Sequence, residues 1–320
     1  MRVLFWLVAS GSWLLGAVDG VVINASTGKP QAGVMVSLVQ PGTGGMQTFA
    51  SVKSDIDGKF KIEKEIPPGP ALLQGLHEGA TYNLMLAPGG PTTGLNLNVY
   101  DTTSKAGTTK ITQHMVLIEP SPSALQIGET ILVDNDSKFT FQDPAKGSLQ
   151  FYVPKSAEDK VQVTINAAGG MPIRRPAEKT AQAGVYKVNY PVRPGETRFD
   201  ISYSVPASDQ FAGKILHARG ATRLVTPSSV TLSGDGIESL GQEPQTQAHI
   251  YNVAGSTYEV KIEGIGSLRS PEATPQEEDS GAPQIEQAPA RVYTRLWEVL
   301  GLAFVILGLG GALLYRKGDA

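Results

Sequence analysis

The 320-residue chain has no cysteine, which removes disulfides, thiolate metal sites and cysteine nucleophiles together and leaves the redox compartment unread by that route. It has no basic stripe either. Lys and Arg are spread along a chain of formal net charge -3, so the electrostatic footprint of a nucleic-acid binder is missing and no nucleic-acid partner is expected. Tryptophan is confined to Trp6, Trp13 and Trp297, all in the apolar segments at the two ends. The region between them therefore lacks the indole rings that would mark a stacking sugar platform. Long helical periodicities are few. In their place stand 36 Gly and 22 Pro, which point to many short strands and turns.

Catalytic signatures are equally scarce. A zinc site of the H-x-x-E or H-E-x-x-H kind needs ligands one turn apart on a helix; His77-Glu78 is followed by Gly79-Ala80-Thr81, and His114, His217 and His249 have no Glu three residues on. Ser26-Thr27-Gly28-Lys29 matches Ser-x-x-Lys, but no Lys-Thr-Gly accompanies it. Dinucleotide, NTP-loop and nucleophile-elbow motifs are absent. No catalytic, cofactor-binding or metal residue is expected, and no cofactor. Asp134-Asn135-Asp136-Ser137 reads as an Asx-type turn rather than a cation site. Asn24-Ala25-Ser26 and Asn135-Asp136-Ser137 match the glycosylation sequon.

The ends give an address. Residues 1–17, one Arg and then a short apolar run ending in small residues, form a signal-peptide pattern with cleavage after Ala17 or Gly20. Near the other end, Leu296 to Leu314 supplies 19 residues with a single charge, Glu298. As a helix it would cover roughly 28 Å, close to the hydrocarbon thickness of a bilayer. Tyr315-Arg316-Lys317 follows as an interface residue and a basic flank. The reading is a transmembrane helix over 296–315, a cytoplasmic tail over 316–320, and the bulk of the chain outside. A stalk is expected over 267–295, where Pro271 to Ala290 has four prolines, five acidic residues and no basic one.

The extracytoplasmic part divides, on sequence, near Glu119-Pro120-Ser121-Pro122, where two prolines interrupt the strand pattern. Before that point, Val34, Val36 and Leu38 alternate along one strand, and Phe60 and Ile62 along another. Between them Ser54-Asp55-Ile56-Asp57-Gly58-Lys59-Phe60 invites a calcium-loop reading. Lys53 and Lys64 stand where an EF-hand needs acids, so Asp57-Gly58 is read as the tight turn of a hairpin. The order Gly20, Val22, Thr27-Gly28-x-Pro30, Gly33, Val36, Leu38, Asp57-x-x-Phe60 and Pro68-Gly69 resembles the carboxypeptidase regulatory-like domain over residues 20–118. That resemblance implies a small β-sandwich of the transthyretin-like kind, present here without a peptidase domain. The tyrosine usual soon after Pro-Gly is replaced by Pro70-Ala71-Leu72-Leu73.

Residues 125–266 read as a second β-sandwich. Strands are expected at Thr130–Val133, Ser148–Val153, Lys160–Ile165, Val185–Tyr190, Arg198–Tyr203, Gly213–Ala218, Ser229–Ser233, His249–Val253 and Thr257–Ile262. The sequence thus predicts an all-β chain: two β-sandwich domains in tandem, a disordered stalk and one C-terminal transmembrane helix. The functional expectation is a non-catalytic, membrane-anchored cell-envelope protein whose ectodomain is a binding or scaffolding module. Its partners would be membrane lipid, through the C-terminal helix, and an envelope protein or polysaccharide. Carbohydrate or cell-wall binding, and service as an accessory subunit of a membrane complex, are the two alternatives.

Overall fold

A computed structural model describes residues 17–268 except 43–44, 65, 67, 158–159, 169 and 219–221. The signal segment, the transmembrane segment and the tail lie outside the described residues, as does the stalk beyond Leu268. Among the described residues the chain is all-β, with one 3-10 turn at Lys155–Ala157 and no helix long and apolar enough to cross a membrane.

Strands of three or more residues are numbered in chain order. The first seven are β1 (Val18–Asn24), β2 (Met35–Gly42), β3 (Gly45–Lys53), β4 (Lys59–Ile62), β5 (Ala71–His77), β6 (Ala80–Leu86) and β7 (Leu95–Val99). They form two sheets. In one, β1 pairs antiparallel with β4 and parallel with β7; in the other the order is β3-β2-β5-β6. Alternation decides which side chains meet between them: Val18 and Val22, Val36 and Leu38, and Phe60 and Ile62 all point inward. With Leu73, Leu97 and Val99 they make one hydrophobic cluster.

The turn after β3 is a correction to the hairpin expectation. Gly58 has a φ of 74°, and the Asp55 carboxylate accepts the backbone N–H groups of Asp57 (2.9 Å) and Lys59 (2.8 Å), an Asx turn. The strands it joins do not pair, however: β3 belongs to the second sheet and β4 to the first. The tight turn carries the chain across the core instead of folding a strand back on its neighbour.

The remaining strands are β8 (Lys110–Pro120), β9 (Ala124–Asn135), β10 (Leu149–Tyr152), β11 (Gln162–Ala167), β12 (Ile173–Arg175), β13 (Val185–Val188), β14 (Gly195–Pro206), β15 (Gln210–Lys214), β16 (Thr222–Thr226), β17 (Thr231–Ser233), β18 (Ile237–Gln242), β19 (His249–Val253) and β20 (Thr257–Glu263). Eight of them form one sheet in the order β12-β11-β14-β9-β8-β16-β19-β18, all antiparallel except for the β8–β16 pair. Two small sheets, β15-β20-β17 and β10-β13 with a two-residue third strand, contribute to the same core. That core includes Val116, Ile118, Ile131, Phe199, Leu224 and Val260.

Residues 110–118, expected with the first part, therefore belong to the second core. Pro120 ends β8, and Ser121 turns the chain into β9 by accepting and donating with Ala124, its Oγ lying 2.7 Å from the Ala124 carbonyl. The prolines read as a boundary are a hairpin connection, because Pro at a strand's last residue removes no interior ladder bond. The cores are joined by polar contacts. Tyr82 Oη meets Thr140 Oγ1 at 2.7 Å and donates to the Tyr100 carbonyl, and the Arg193 guanidinium donates to the Thr81 carbonyl at 3.1 Å.

Candidate functional site

Two histidine clusters hold the chemistry of the described residues. The first sits at the β5–β6 turn, where Glu78 and Gly79 both adopt positive φ (45° and 80°), as a two-residue hairpin loop requires. This turn brings His77 and Glu78 against Asp101, just beyond β7, with donor atoms of all three within 4.8 Å of one another. One imidazole and two carboxylates are a set a divalent cation accepts. Here one oxygen of each carboxylate is engaged internally. Asp101 Oδ1 takes the His77 Nε2 (3.2 Å) and the Asn24 amide (2.6 Å), while Glu78 Oε2 takes the N–H and hydroxyl of Thr102 (2.6 and 2.9 Å). As arranged, the cluster clamps the turn to the segment after β7.

The second cluster is buried in the larger core. Leu125, Ile127, Glu129, Ile131 and Val133 alternate inward along β9, so a carboxylate stands in the middle of an apolar face. Flanking strands satisfy it. From β8, His114 Nε2 lies 3.0 Å from Glu129 Oε2; from β14, the Tyr203 hydroxyl donates to Glu129 Oε1 at 2.7 Å. His114 Nδ1 is 3.0 Å from Nε2 of His217, whose Nδ1 lies 2.8 Å from the Ala218 carbonyl. His217 follows β15 and is half-buried. Burial pushes its imidazole below the usual histidine range, with the nearby His114 adding to the effect. Burial likewise pushes the Tyr203 and Tyr258 phenols well up, and the Glu129 charge adds to both. Thr222, the register neighbour of His114 on β16, is fully buried with a hydroxyl that has no partner among the described residues.

The other sequence-marked residues are occupied elsewhere. Ser26 Oγ accepts the Asp101 N–H at 2.9 Å and donates to the Lys138 carbonyl. Asp134 and Asp136 meet Lys110, and Asn135 Oδ1 accepts from the N–H and hydroxyl of Ser137, the Asx-type turn itself. Both sequon asparagines are buried and spend their amide on the protein. Asn24 donates to Gln31 and Asp101; Asn135 donates to the carbonyls of Phe139 and Val192. His249 contacts Gln242 and the Val230 carbonyl.

Nothing in local spacing announces the second cluster, whose members span 103 positions from His114 to His217. One signal was available. Extending the inward alternation of Ile131 and Val133 back along β9 places Glu129 on the core face, where an acid must find partners.

No protein-family description matches the chain, and no curated protein matches it in sequence. Among solved structures, it is similar to M1 zinc metallopeptidase from Deinococcus radiodurans at a TM-score of 0.25 and 12% identity, over 48% of this chain and 42% of that one. A form of that protein bound to a Tyr-Ser-Ala substrate gives 0.26 and 12%, over 54% and 51%. The chain thus spans about half the length of those proteins or less, and likeness of this degree assigns neither family nor activity.

Proposed function

We propose that this chain is a non-catalytic, membrane-anchored cell-envelope protein, with two β-sandwich domains in tandem held off the membrane by a stalk and acting as a binding or scaffolding module. The observation that carries the reading is the outer face of the β3-β2-β5-β6 sheet. Met35, Leu76 and Met85 are 37, 52 and 71% exposed there, and Met46 at the sheet edge is 38% exposed. Register sets the pattern: Met35 lies beside Leu76, and Leu72 beside Met85, on either side of a polar row of Ser37, Gln74 and Asn83. Unbranched, polarizable methionine side chains suit an adaptable protein-docking surface. Beside this face, Met46, Leu72, Asn83, Met171, Ile173 and Arg193 line a cavity of about 290 Å³.

Docking a larger membrane protein, as an accessory subunit, is therefore favoured over sugar binding. None of the tyrosines among the described residues is exposed, so the aromatic row that a polysaccharide would stack on has no support. The test is purification of the intact protein from native membranes in mild detergent, comparing wild type with Leu76→Asp/Met85→Asp. A stoichiometric protein partner lost from the double variant, with the fold retained by circular dichroism, is the expected result. Identical partners in both preparations would remove this surface from the reading. Protease added to spheroplasts should digest the ectodomain; its protection would overturn the membrane topology.

A further inference from the structure

We propose that the cavity bounded by the outer face of the β3-β2-β5-β6 sheet and by β12 binds the C-terminus of a peptide chain that ends in an apolar residue. Met46, Leu72, Met171 and Ile173 give the cavity its apolar lining. Arg175 and Arg193 line it as well, and among the described residues no acid does. A guanidinium stays protonated at any pH the fold survives, so this positive charge depends on no titrating neighbour. Neither arginine has a carboxylate partner among the described residues. Arg193 donates to the Thr81 carbonyl at 3.1 Å and to the Ala168 carbonyl at 3.3 Å, which spends two of the five N–H groups a guanidinium owns. The head is held in place by β6 and by the turn after β11, with donors to spare.

Each kind of group narrows the ligand. Guanidinium donors without an internal carboxylate call for a planar anion, and a carboxylate fits their fork. Asn83 Oδ1, on the same lining, is buried with no partner among the described residues, so it calls for an N–H donor beside that carboxylate. Phosphate brings no N–H and would leave this oxygen unpaired. The methionine, leucine and isoleucine side chains call for hydrocarbon on the same molecule. A chain terminus carries all three within one residue: the α-carboxylate, its own amide N–H and an apolar side chain. A free amino acid fits less well, because its ammonium adds positive charge beside two guanidiniums. Size agrees. The cavity, about 290 Å³, sits at the lower end of the roughly 300–1,000 Å³ that whole ligands occupy, so one residue enters and the rest of the peptide stays outside. Leu76 and Met85 do not line the cavity, so the inference stands apart from the docking face they mark.

The experiment is isothermal titration calorimetry of the full-length protein in detergent micelles with the peptide acetyl-Ser-Gly-Leu, its terminal carboxylate free. One equivalent is expected to bind with a dissociation constant below about 1 mM. The same peptide as its C-terminal amide, and the free acid ending in Asp instead of Leu, should each bind at least about tenfold more weakly. Inorganic phosphate at the peptide's concentration should not displace it. Arg175→Gln should lower the affinity at least about tenfold while its thermal melt matches wild type, because that side chain holds nothing else among the described residues. Asn83→Leu removes the unpaired oxygen, so it should melt no lower than wild type and bind about two- to tenfold more weakly. Leu76→Asp/Met85→Asp should bind the peptide as wild type does, whatever becomes of its membrane partner. Absence of binding, equal affinity for acid and amide, displacement by phosphate, or unchanged affinity in Arg175→Gln would each overturn the assignment. Peptide binding lost in Leu76→Asp/Met85→Asp would overturn it in favour of the exposed face.

Discussion

Gly58 shows how much one backbone position can carry. Its φ of 74° belongs to the left-handed region, and a Cβ built there would lie 2.8 Å from the Val22 carbonyl oxygen and 2.9 Å from the Pro30 side chain. The Gly58 carbonyl also accepts the Val22 N–H at 2.8 Å. Gly58→Val should therefore cost at least about 1–2 kcal/mol from backbone strain, before the steric clash is added. Asp55→Asn should melt within about 0.5 kcal/mol of wild type, because the amide oxygen can still accept from Asp57 and Lys59. Thermal denaturation with calcium and with chelator checks both. A calcium-dependent rise lost in Asp55→Asn would restore the ion-loop reading. Tyr203 and Tyr258 give a pH test of the second core. Their phenols are raised above the usual range by burial and then by Glu129, so the folded state favours the protonated form. That contribution is complete below about pH 10, where unfolded tyrosine ionises, and is lost as pH rises through the higher folded values. Ultraviolet titration of the native protein should show these two phenols ionising only with unfolding; early ionisation of Tyr203 would contradict its bond to Glu129. At this scale the Asp57-Gly58 turn was legible in the sequence, since positive φ asks for glycine. Glu129 and its partners were not, because a network assembled from β8, β9, β14 and the segment after β15 leaves no local pattern.

Among the elements, the most telling is β16. Its five residues, Thr222-Arg223-Leu224-Val225-Thr226, show too little apolar alternation to mark a strand in the sequence, yet it lies inside the eight-stranded sheet between β8 and β19. Leu224 is fully buried in the core, in register with Val116. Leu224→Ala should cost about 2–5 kcal/mol, measured by urea denaturation, as a cavity in a packed interior does. A loss below about 1 kcal/mol would mean that β16 is not a core strand in solution. The expected strands at His249–Val253 and Thr257–Ile262 match β19 and β20 to within a residue, because clean alternation between turn residues is a local property. Thr130–Val133 and Arg198–Tyr203 marked only the middles of β9 and β14, whose outer residues alternate with Gly, Gln, Glu and Ser rather than with a uniform polar pattern. Residues 110–118 lie in the other core from the one the sequence suggests, because the prolines at 120 and 122 connect a hairpin and do not mark a domain boundary. Sheet membership is fixed by pairing with β9 and β16, which the composition of β8 does not encode.

For the molecule as a whole, the two hydrophobic clusters share no buried residue and meet through hydrogen bonds, each worth about 1 kcal/mol net, rather than through a common apolar interior. Scanning calorimetry should accordingly resolve two transitions, the lower belonging to the first core, which among the described residues has 14 buried hydrophobic residues against 31 in the second. Tyr82→Phe should lower the first transition and leave the second nearly unmoved; one cooperative transition would show that the polar bridge couples the cores more strongly than its bonds suggest. The single parallel pairing in the large sheet has a temporal consequence. His114 through Leu117 pairs with Thr222 through Val225, so the middle of that sheet closes only after more than a hundred intervening residues have been made. A chain delivered from its amino end can form the β8–β9 hairpin early, but one flank of that hairpin must wait, with its amide and carbonyl groups unpaired, until β16 arrives. Non-local closure of this kind places folding in the milliseconds-to-seconds range. During that interval the open flank of β8 is the natural target for a holding chaperone and, without one, for strand exchange with a second unfinished copy.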